Sequence, residues 1–229
     1  MADTKIIDIL TEFSLTRQEA SIYAALLNHG DMTGYEVAKD TGFSRSNVYA
    51  ALTALVEKGA AYLVEGEVTK YRPVEIKIFT SNKIRELSKQ AAWLETHGPQ
   101  KVEQTEGYIT IVGAKNIRNK IREMLEKTEL RLYLMAPEKI IIEFENELQN
   151  LIAAGKKIVL LTEDYKLKGA KVYNTKLEEG QIRFITDSAY VLTGELTDDE
   201  HNTCLYSGQK NLVEVMKEAL KDKISLLGK

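Results

Sequence analysis

The chain has 229 residues, of which 44% are hydrophobic and 28% charged, with only three prolines. This composition is typical of a globular protein and excludes collagen-like and mostly disordered classes, and the length favours two domains. A formal net charge of −3 argues against indiscriminate coating of nucleic acid but leaves room for a local basic face. No secretory signal and no membrane-spanning run is recognisable, so we expect a cytoplasmic protein without membrane contact.

Three helix starts can be predicted from side-chain chemistry in the first third of the chain. Residues 16–19, Thr-Arg-Gln-Glu, have the spacing of a capping box, in which hydroxyl and carboxylate each satisfy a free backbone amide. Residues 33–36, Thr-Gly-Tyr-Glu, repeat that spacing and open a short helix that must end near Gly42. Ser44 is a strong N-cap for a third helix. Helical spacing predicts that this third helix buries Val48, Ala51, Leu52 and Leu55.

Helix, short helix, tight turn and helix is the order of a helix-turn-helix. Two strand-like runs follow, at residues 61–64 and 68–72, joined by the turn residues 65–67. A hairpin directly after the third helix predicts the wing of a winged helix, which we expect Pro73 to end because proline has no amide for the ladder. The sequence therefore predicts a winged helix-turn-helix DNA-binding domain over residues 1–74.

A further helical pattern over residues 75–99 carries a narrow apolar stripe, which suits helix pairing between two subunits. The stripe consists of Phe79, Ile84, Leu87, Ala91 and Leu94. Gly98 and Pro99 stop the helix, and the polar residues 100–107 are typical of a linker. We expect residues 75–99 to be the dimerisation helix of a homodimer.

After the linker, residues 108–229 change to a pattern of alternating strands and helices. Strands are predicted at 108–112, 130–135, 158–161, 181–185, 190–195 and 203–206, with helices at 114–127 and 138–153 and a terminal amphipathic helix. Alternation of this kind favours a largely parallel α/β sheet. The predicted fold class is thus a winged helix-turn-helix and a dimerisation helix followed by an α/β effector-sensing domain, a combination of α+β and α/β.

The third helix has the features of a recognition helix, with one buried face and an opposite face that is small, polar and free of acids before Glu57. Arg45 can fork onto guanine or phosphate, and Ser46 and Asn47 can bond phosphate or adenine. The predicted DNA contacts are Thr33, Tyr35, Ser44, Arg45, Ser46, Asn47, Tyr49, Thr53, Lys70, Tyr71 and Arg72. The alternative is a winged helix that binds a protein partner, with these side chains as solvated surface.

The chain resembles the TrmB-type transcriptional regulators. The similar segments are residues 15–16, 23–27, 44–49 and 52–59, and after the linker residues 154–158, 179–183 and 205–208. The resemblance implies a homodimer joined through the helix after the wing and bound to double-stranded operator DNA, with an effector domain related in fold to phospholipase D. It also implies a small-molecule effector, and sugars are the class to which characterised members often respond.

The sequence also allows a test of whether the phospholipase D-like domain could be catalytic. A catalytic phospholipase D-like domain needs a His-x-Lys motif, because one histidine attacks phosphorus and the lysine holds the anionic oxygens. None of His29, His97 and His201 is followed two positions later by lysine. We therefore expect no enzyme activity and no catalytic residue. Three scattered histidines and the single Cys204, expected to be a buried thiol, give no metal-binding spacing, so neither metal nor cofactor is expected.

Two further segments are candidates for ligands. Residues 113–116, Gly-Ala-Lys-Asn, lie where a strand passes into a helix, so free amides with Lys115 and Asn116 could hold an anionic or hydroxyl-rich effector. An ordinary strand-to-helix turn is the alternative. The acidic residues Glu195, Asp198, Asp199 and Glu200 could bind a hard cation, but a solvated loop is the expectation there.

Overall fold

The computed structural model describes residues 2–99, 107–197, 199 and 201–227. It divides into two compact units, Met1–Lys101 and Val102–Lys229. Apart from Gly107, the predicted linker lies outside the described residues. None of the described helices is both long enough and apolar enough to cross a membrane.

The N-terminal unit opens with four helices: α1 (Ala2–Glu12), α2 (Arg17–His29), α3 (Gly34–Thr41) and α4 (Arg45–Glu57). Both predicted capping boxes are present, one at Thr16 and one at Thr33, and the Ser44 hydroxyl accepts from the backbone of Asn47. Gly42 adopts the left-handed conformation, with φ 73°. The sequence analysis did not identify α1, which has no N-cap signal to mark its start.

The wing consists of β1 (Ala61–Val64) and β2 (Lys70–Pro73), paired antiparallel. β2 ends at Pro73 as predicted, but the missing amide of proline does not interrupt the pairing with β1, because Pro73 lies opposite Ala61 and the next amide, of Val74, still donates to the carbonyl of Ala60 at 2.9 Å. Amides alternate in direction along a strand. The missing amide of Pro73 belongs to the side of β2 that faces away from β1, where the preceding Tyr71 pairs with Met32.

The last helix of this unit, α5 (Ile76–His97), is anchored by its first turn. Phe79 is 2% exposed and meets the ring of Tyr23 edge-on, with the centroids 5.5 Å apart. Phe79 therefore belongs to the core of its own domain and is removed from the predicted dimer stripe. The other stripe residues, Ile84, Leu87, Ala91 and Leu94, are exposed.

The C-terminal unit is a seven-stranded sheet with helices on both faces. Its elements are β3 (Tyr108–Val112), α6 (Ala114–Glu126), β4 (Arg131–Met135), α7 (Glu138–Glu143), α8 (Glu145–Ala153), β5 (Lys157–Thr162), β6 (Lys171–Asn174), β7 (Gln181–Thr186), β8 (Tyr190–Glu195), β9 (Thr203–Ser207) and α9 (Lys210–Leu227). The strand order is β3-β9-β8-β7-β4-β5-β6. The mixed fold class is confirmed, with a helical N-terminal region and a C-terminal sheet.

The prediction of a largely parallel sheet is wrong, because most of the strand pairs are antiparallel. β4–β5 and β5–β6 are parallel, whereas β3–β9, β4–β7, β7–β8 and β8–β9 are antiparallel. The connections from β7 to β8 and from β8 to β9 are shorter than the dozen or so residues that a crossover between parallel strands needs. The sequence analysis also did not predict β6. The single helix predicted at 138–153 is instead two helices, α7 and α8, which are separated at Phe144, where ψ is 17°.

Each face of the sheet has its own core. On one face, α6, α7 and α8 cover Leu132, Leu134 and their neighbours, and this core includes the buried Cys204. Burial raises the pKa of that thiol to about 11, as expected for an inert cysteine. On the other face, α9 packs against the sheet through Val213 and Leu220.

Candidate nucleic-acid interface

The N-terminal turn of α4 presents a row of exposed polar side chains. Ser44, Arg45, Ser46 and Asn47 are exposed, whereas Val48 directly after them is fully buried. No acidic residue lies in the first turn. The positive end of the helix dipole and its free amides are therefore left open to an anion.

Arg45 is held in place by an aromatic neighbour from α3. Its guanidinium carbon lies 4.7 Å from the ring centroid of Tyr35, which is 54% exposed. Across the described ranges, no carboxylate lies within 4 Å of this guanidinium. A cation stacked on a ring keeps its N–H groups in the ring plane free to donate. Arg45 is thus ordered and still available for a base or a phosphate.

Tyr49 joins the two helices of the helix-turn-helix. Its ring is half exposed and lies against Gly34, where an added Cβ would come within 2.5 Å of the ring. A glycine at the first position of α3 is therefore needed for this close packing. Thr53, one turn further along α4, is exposed and donates its hydroxyl to the Tyr49 carbonyl at 3.0 Å.

The hydroxyl of Thr33 is already engaged. It accepts from the Glu36 amide at 3.2 Å and donates to the Glu36 carboxylate at 2.9 Å. The backbone amide of Thr33, which donates to the Glu36 carboxylate at 2.7 Å, and then the Thr33 hydroxyl hold the pKa of Glu36 below its usual range. Thr33 therefore stabilises the start of α3, and its predicted phosphate contact would have to replace this bond.

The wing presents less positive charge than its sequence suggests. Arg72 donates from Nε and Nη2 to the two carboxylate oxygens of Asp31, at 2.8 and 2.6 Å. This bidentate pair lowers the pKa of Asp31 and raises that of Arg72. Lys70 is exposed, and within the described part of the chain no carboxylate lies within 4 Å of its ammonium. Lys70 is therefore the accessible cation of β2.

Tyr71 does not face solvent, which corrects its assignment to the DNA surface. Its side chain is 7% exposed and belongs to the core of the N-terminal unit. Successive side chains of a strand point to opposite faces. Because Lys70 and Arg72 point outward, the residue between them points inward, and the alternation in the sequence contained this signal.

The two residues proposed for the effector are not brought together around a cavity. The Asn116 amide donates to the carbonyl of Val112 at 2.9 Å, and the Gly113 amide donates to the carbonyl of Asn202 at 2.9 Å. Lys115 is exposed and does not line the shallow groove that Asn116 lines. These bonds are those of an ordinary strand-to-helix turn.

Among the described residues, no three His, Cys, Asp or Glu side chains are grouped so that they could hold a metal ion. Of the acidic segment 195–200, Asp198 and Glu200 lie outside the described residues. The carboxylate of Asp199 accepts from the amide of His201 at 2.9 Å. The segment is thus described only in part, and Asp199, one of its two described acidic residues, has a local partner.

Comparison with known proteins confirms the family resemblance. Residues 10–77, from the end of α1 into the start of α5, match a family described as "Sugar-specific transcriptional regulator TrmB". TrmBL2 of Pyrococcus furiosus, named a putative HTH-type transcriptional regulator, is 26% identical over 223 residues, which cover 87% of this chain and 83% of that protein. These matches support DNA-binding regulation as the general role.

Two other similarities are more limited. The uncharacterized protein YrhO of Bacillus subtilis is 29% identical over 160 residues, or 68% of this chain, and the match spans just 58% of that protein's length. Nuc of Salmonella typhimurium, a phospholipase D family member, matches in structure with a TM-score of 0.42 at 11% identity, covering 53% of this chain and 95% of Nuc.

Proposed function

We propose that this chain, which carries a TrmB-type N-terminal domain, is a homodimeric transcriptional regulator that binds a two-fold-symmetric operator in double-stranded DNA. In this proposal, residues 1–74 bind DNA, residues 75–99 join the subunits and residues 108–229 sense a small-molecule effector. The observation that carries it is the exposed, acid-free N-terminal turn of α4 with Arg45 stacked on Tyr35. The protein would act in the cytoplasm and without membrane contact.

The proposed DNA contacts are made by side chains that are exposed and not held by a competing partner. α4 enters the major groove, with Arg45, Ser46 and Asn47 at the base edges. Tyr35 and Tyr49 are half exposed on either side of that turn and contact phosphates, as does Lys70 from the wing. Thr53 extends the exposed face of α4, and Arg72 contributes only where DNA displaces Asp31.

Dimerisation is proposed through the exposed part of α5. Leu87, Ala91 and Leu94 stand at i, i+4 and i+7 on one helix face, and Ile84 precedes them by three residues. All four side chains are exposed in the single chain. Two such helices packed together would bury this stripe and place two recognition helices in successive major grooves.

The C-terminal domain is proposed to adjust the affinity for DNA. An effector can do this only by binding more tightly to one arrangement of the dimer than to another. α5 is the coupling element in this proposal because it carries the dimer stripe and precedes the sheet domain in the chain. A sugar or sugar derivative is the effector class that the family description suggests.

Selection of bound sequences from a random duplex library tests the central claim without knowledge of the effector. The full-length protein is expected to enrich a palindrome with half-sites about one helical turn apart and to bind it far more tightly than random duplex. Sedimentation of the protein–operator complex should show two chains per duplex. If no sequence is enriched and binding stays weak and salt-sensitive, the operator proposal is wrong and a protein-binding adaptor becomes the better interpretation.

A further inference from the structure

A cleft in the C-terminal unit lies between α9 and the sheet face that α9 only partly covers. Its volume is about 630 Å³, which is within the usual range for small-molecule sites, roughly 300–1,000 Å³. Val159, Ile185, Leu220 and Ile224 supply an apolar lining. The half-buried rings of two tyrosines also line it, at positions 133 and 173.

Cations converge on this cleft from three neighbouring strands. Arg131 and Lys157 are the first residues of β4 and β5 and lie directly opposite each other, and Lys171 is the first residue of β6. Because these three strands are parallel, their first residues meet at one edge of the sheet. α9 adds Lys217 and Lys221, four residues apart, from the other side.

Acidic side chains do not balance these cations. The carboxylates that line the cleft are Glu214 and Glu218, and Glu214 pairs with Lys217 at 2.8 Å. Asp187, at the turn after β7, accepts from the amides of Glu129, Leu130 and Arg131 at 2.8 to 2.9 Å.

Among the described residues, no carboxylate lies within 4 Å of the side-chain nitrogens of Arg131, Lys157, Lys171 or Lys221. Like charges directly opposite on adjacent strands destabilise a sheet. Arg131 and Lys157 are such a pair, and a bound anion would remove this cost. An arginine fork beside two ammonium groups is also the donor set that suits a phosphate group.

We propose that this cleft binds a small phosphorylated compound that carries a ring, with the phosphate at Arg131, Lys157 and Lys171. The ring lies toward Tyr133 and Tyr173, over the apolar lining. A sugar phosphate and a mononucleotide share this chemistry, and the experiment below distinguishes them. The identification of this ligand as the effector rests on the proposed function, whereas its binding in the cleft does not.

Calorimetric titration of the full-length protein without DNA tests the assignment. The probes are glucose 6-phosphate and AMP, their unphosphorylated counterparts glucose and adenosine, and inorganic phosphate. At least one phosphate ester is expected to bind, more tightly than inorganic phosphate and than its own unphosphorylated counterpart. Preference for one ester over the other identifies the sugar or the nucleotide as the ring.

Charge-removing variants locate the site. Lys157→Gln and Lys171→Gln, at two of the three cations assigned to the phosphate, are each expected to weaken ester binding by about tenfold, since each removes a charged hydrogen-bond donor. Lys168→Gln makes the same change at an exposed lysine outside the cleft and should leave affinity unaltered. Thermal unfolding of each variant verifies that the sheet domain remains folded.

Several results would overturn the inference. The inference is wrong if neither ester binds, or if an ester binds no more tightly than its unphosphorylated counterpart or than inorganic phosphate. It is also wrong if Lys157→Gln and Lys168→Gln lose the same amount of ester affinity. Weaker operator binding by ligand-free Lys157→Gln, with Lys168→Gln unaffected, would assign the cleft to DNA instead. Operator selection by the unmodified protein tests the proposed function separately, so a protein that binds its operator but no ester refutes only the cleft assignment.

Discussion

The recognition helix α4 and the wing strand β2 carry similar side chains but present them differently. Each has an arginine beside a tyrosine. Arg45 on α4 stacks on the neutral ring of Tyr35 and keeps its donors free, whereas Arg72 on β2 is bound by both oxygens of Asp31. The number of cations in a segment therefore overestimates the positive charge that DNA meets, because a partner distant in sequence can neutralise it.

The largest expected effect concerns Tyr71, the buried tyrosine of the wing. Tyr71→Ala should destabilise the N-terminal unit by about 3 kcal/mol or more, since it removes a buried aromatic side chain and leaves a cavity. Hydrogen exchange of the α2 and α4 amides measures the opening free energy of this unit by itself. The matched control is Tyr62→Ala on β1, whose ring is mostly exposed and should cost less than about 1 kcal/mol. Equal losses of stability in the two variants would mean that the Tyr71 side chain lies at the surface and not in the core.

The next effect is on DNA affinity at α4. Arg45→Ala should weaken operator binding by roughly 1 to 3 kcal/mol if the guanidinium contacts a base, and should relax specificity at that base pair. Fluorescence anisotropy with the selected operator and a scrambled duplex measures both. Arg17→Ala on α2, an exposed arginine that pairs with Asp8, is the control and should bind normally. Unchanged affinity in Arg45→Ala would remove this residue from the interface.

The contrast between the two segments also marks what the sequence can predict. Capping residues such as Thr16 and Ser44 act on amides three residues away, so the helix starts and the outward face of α4 could be predicted from local spacing. The Asp31–Arg72 pair spans 41 residues, and no local pattern contains it. The direction of the sheet pairs was hidden for the same reason, and so was the meeting of Arg131, Lys157 and Lys171, which depends on the order of β4, β5 and β6.

A smaller effect should follow when the charge of the wing is released. Asp31→Asn removes the carboxylate that neutralises Arg72, so DNA affinity should rise about threefold and the slope of log affinity against log salt should steepen by about 0.9 if Arg72 takes one phosphate. Asp40→Asn is the matched control, because this aspartate of α3 makes the same change in net charge and faces His29 instead. If both variants bind equally more tightly, the gain reflects net charge and not a released Arg72.

The smallest effect is expected at the accessible cation of β2. Lys70→Gln should reduce the salt slope by about 0.9 and weaken specific and random duplexes alike, because a phosphate contact carries no sequence information. Titrations at several salt concentrations measure this, with Lys89→Gln on α5, an exposed lysine away from the wing, as control. If Lys70→Gln leaves the slope unchanged while Arg45→Ala loses affinity, the wing does not contact DNA. α4 would then read the operator without it, and the tighter binding expected of Asp31→Asn should also be absent.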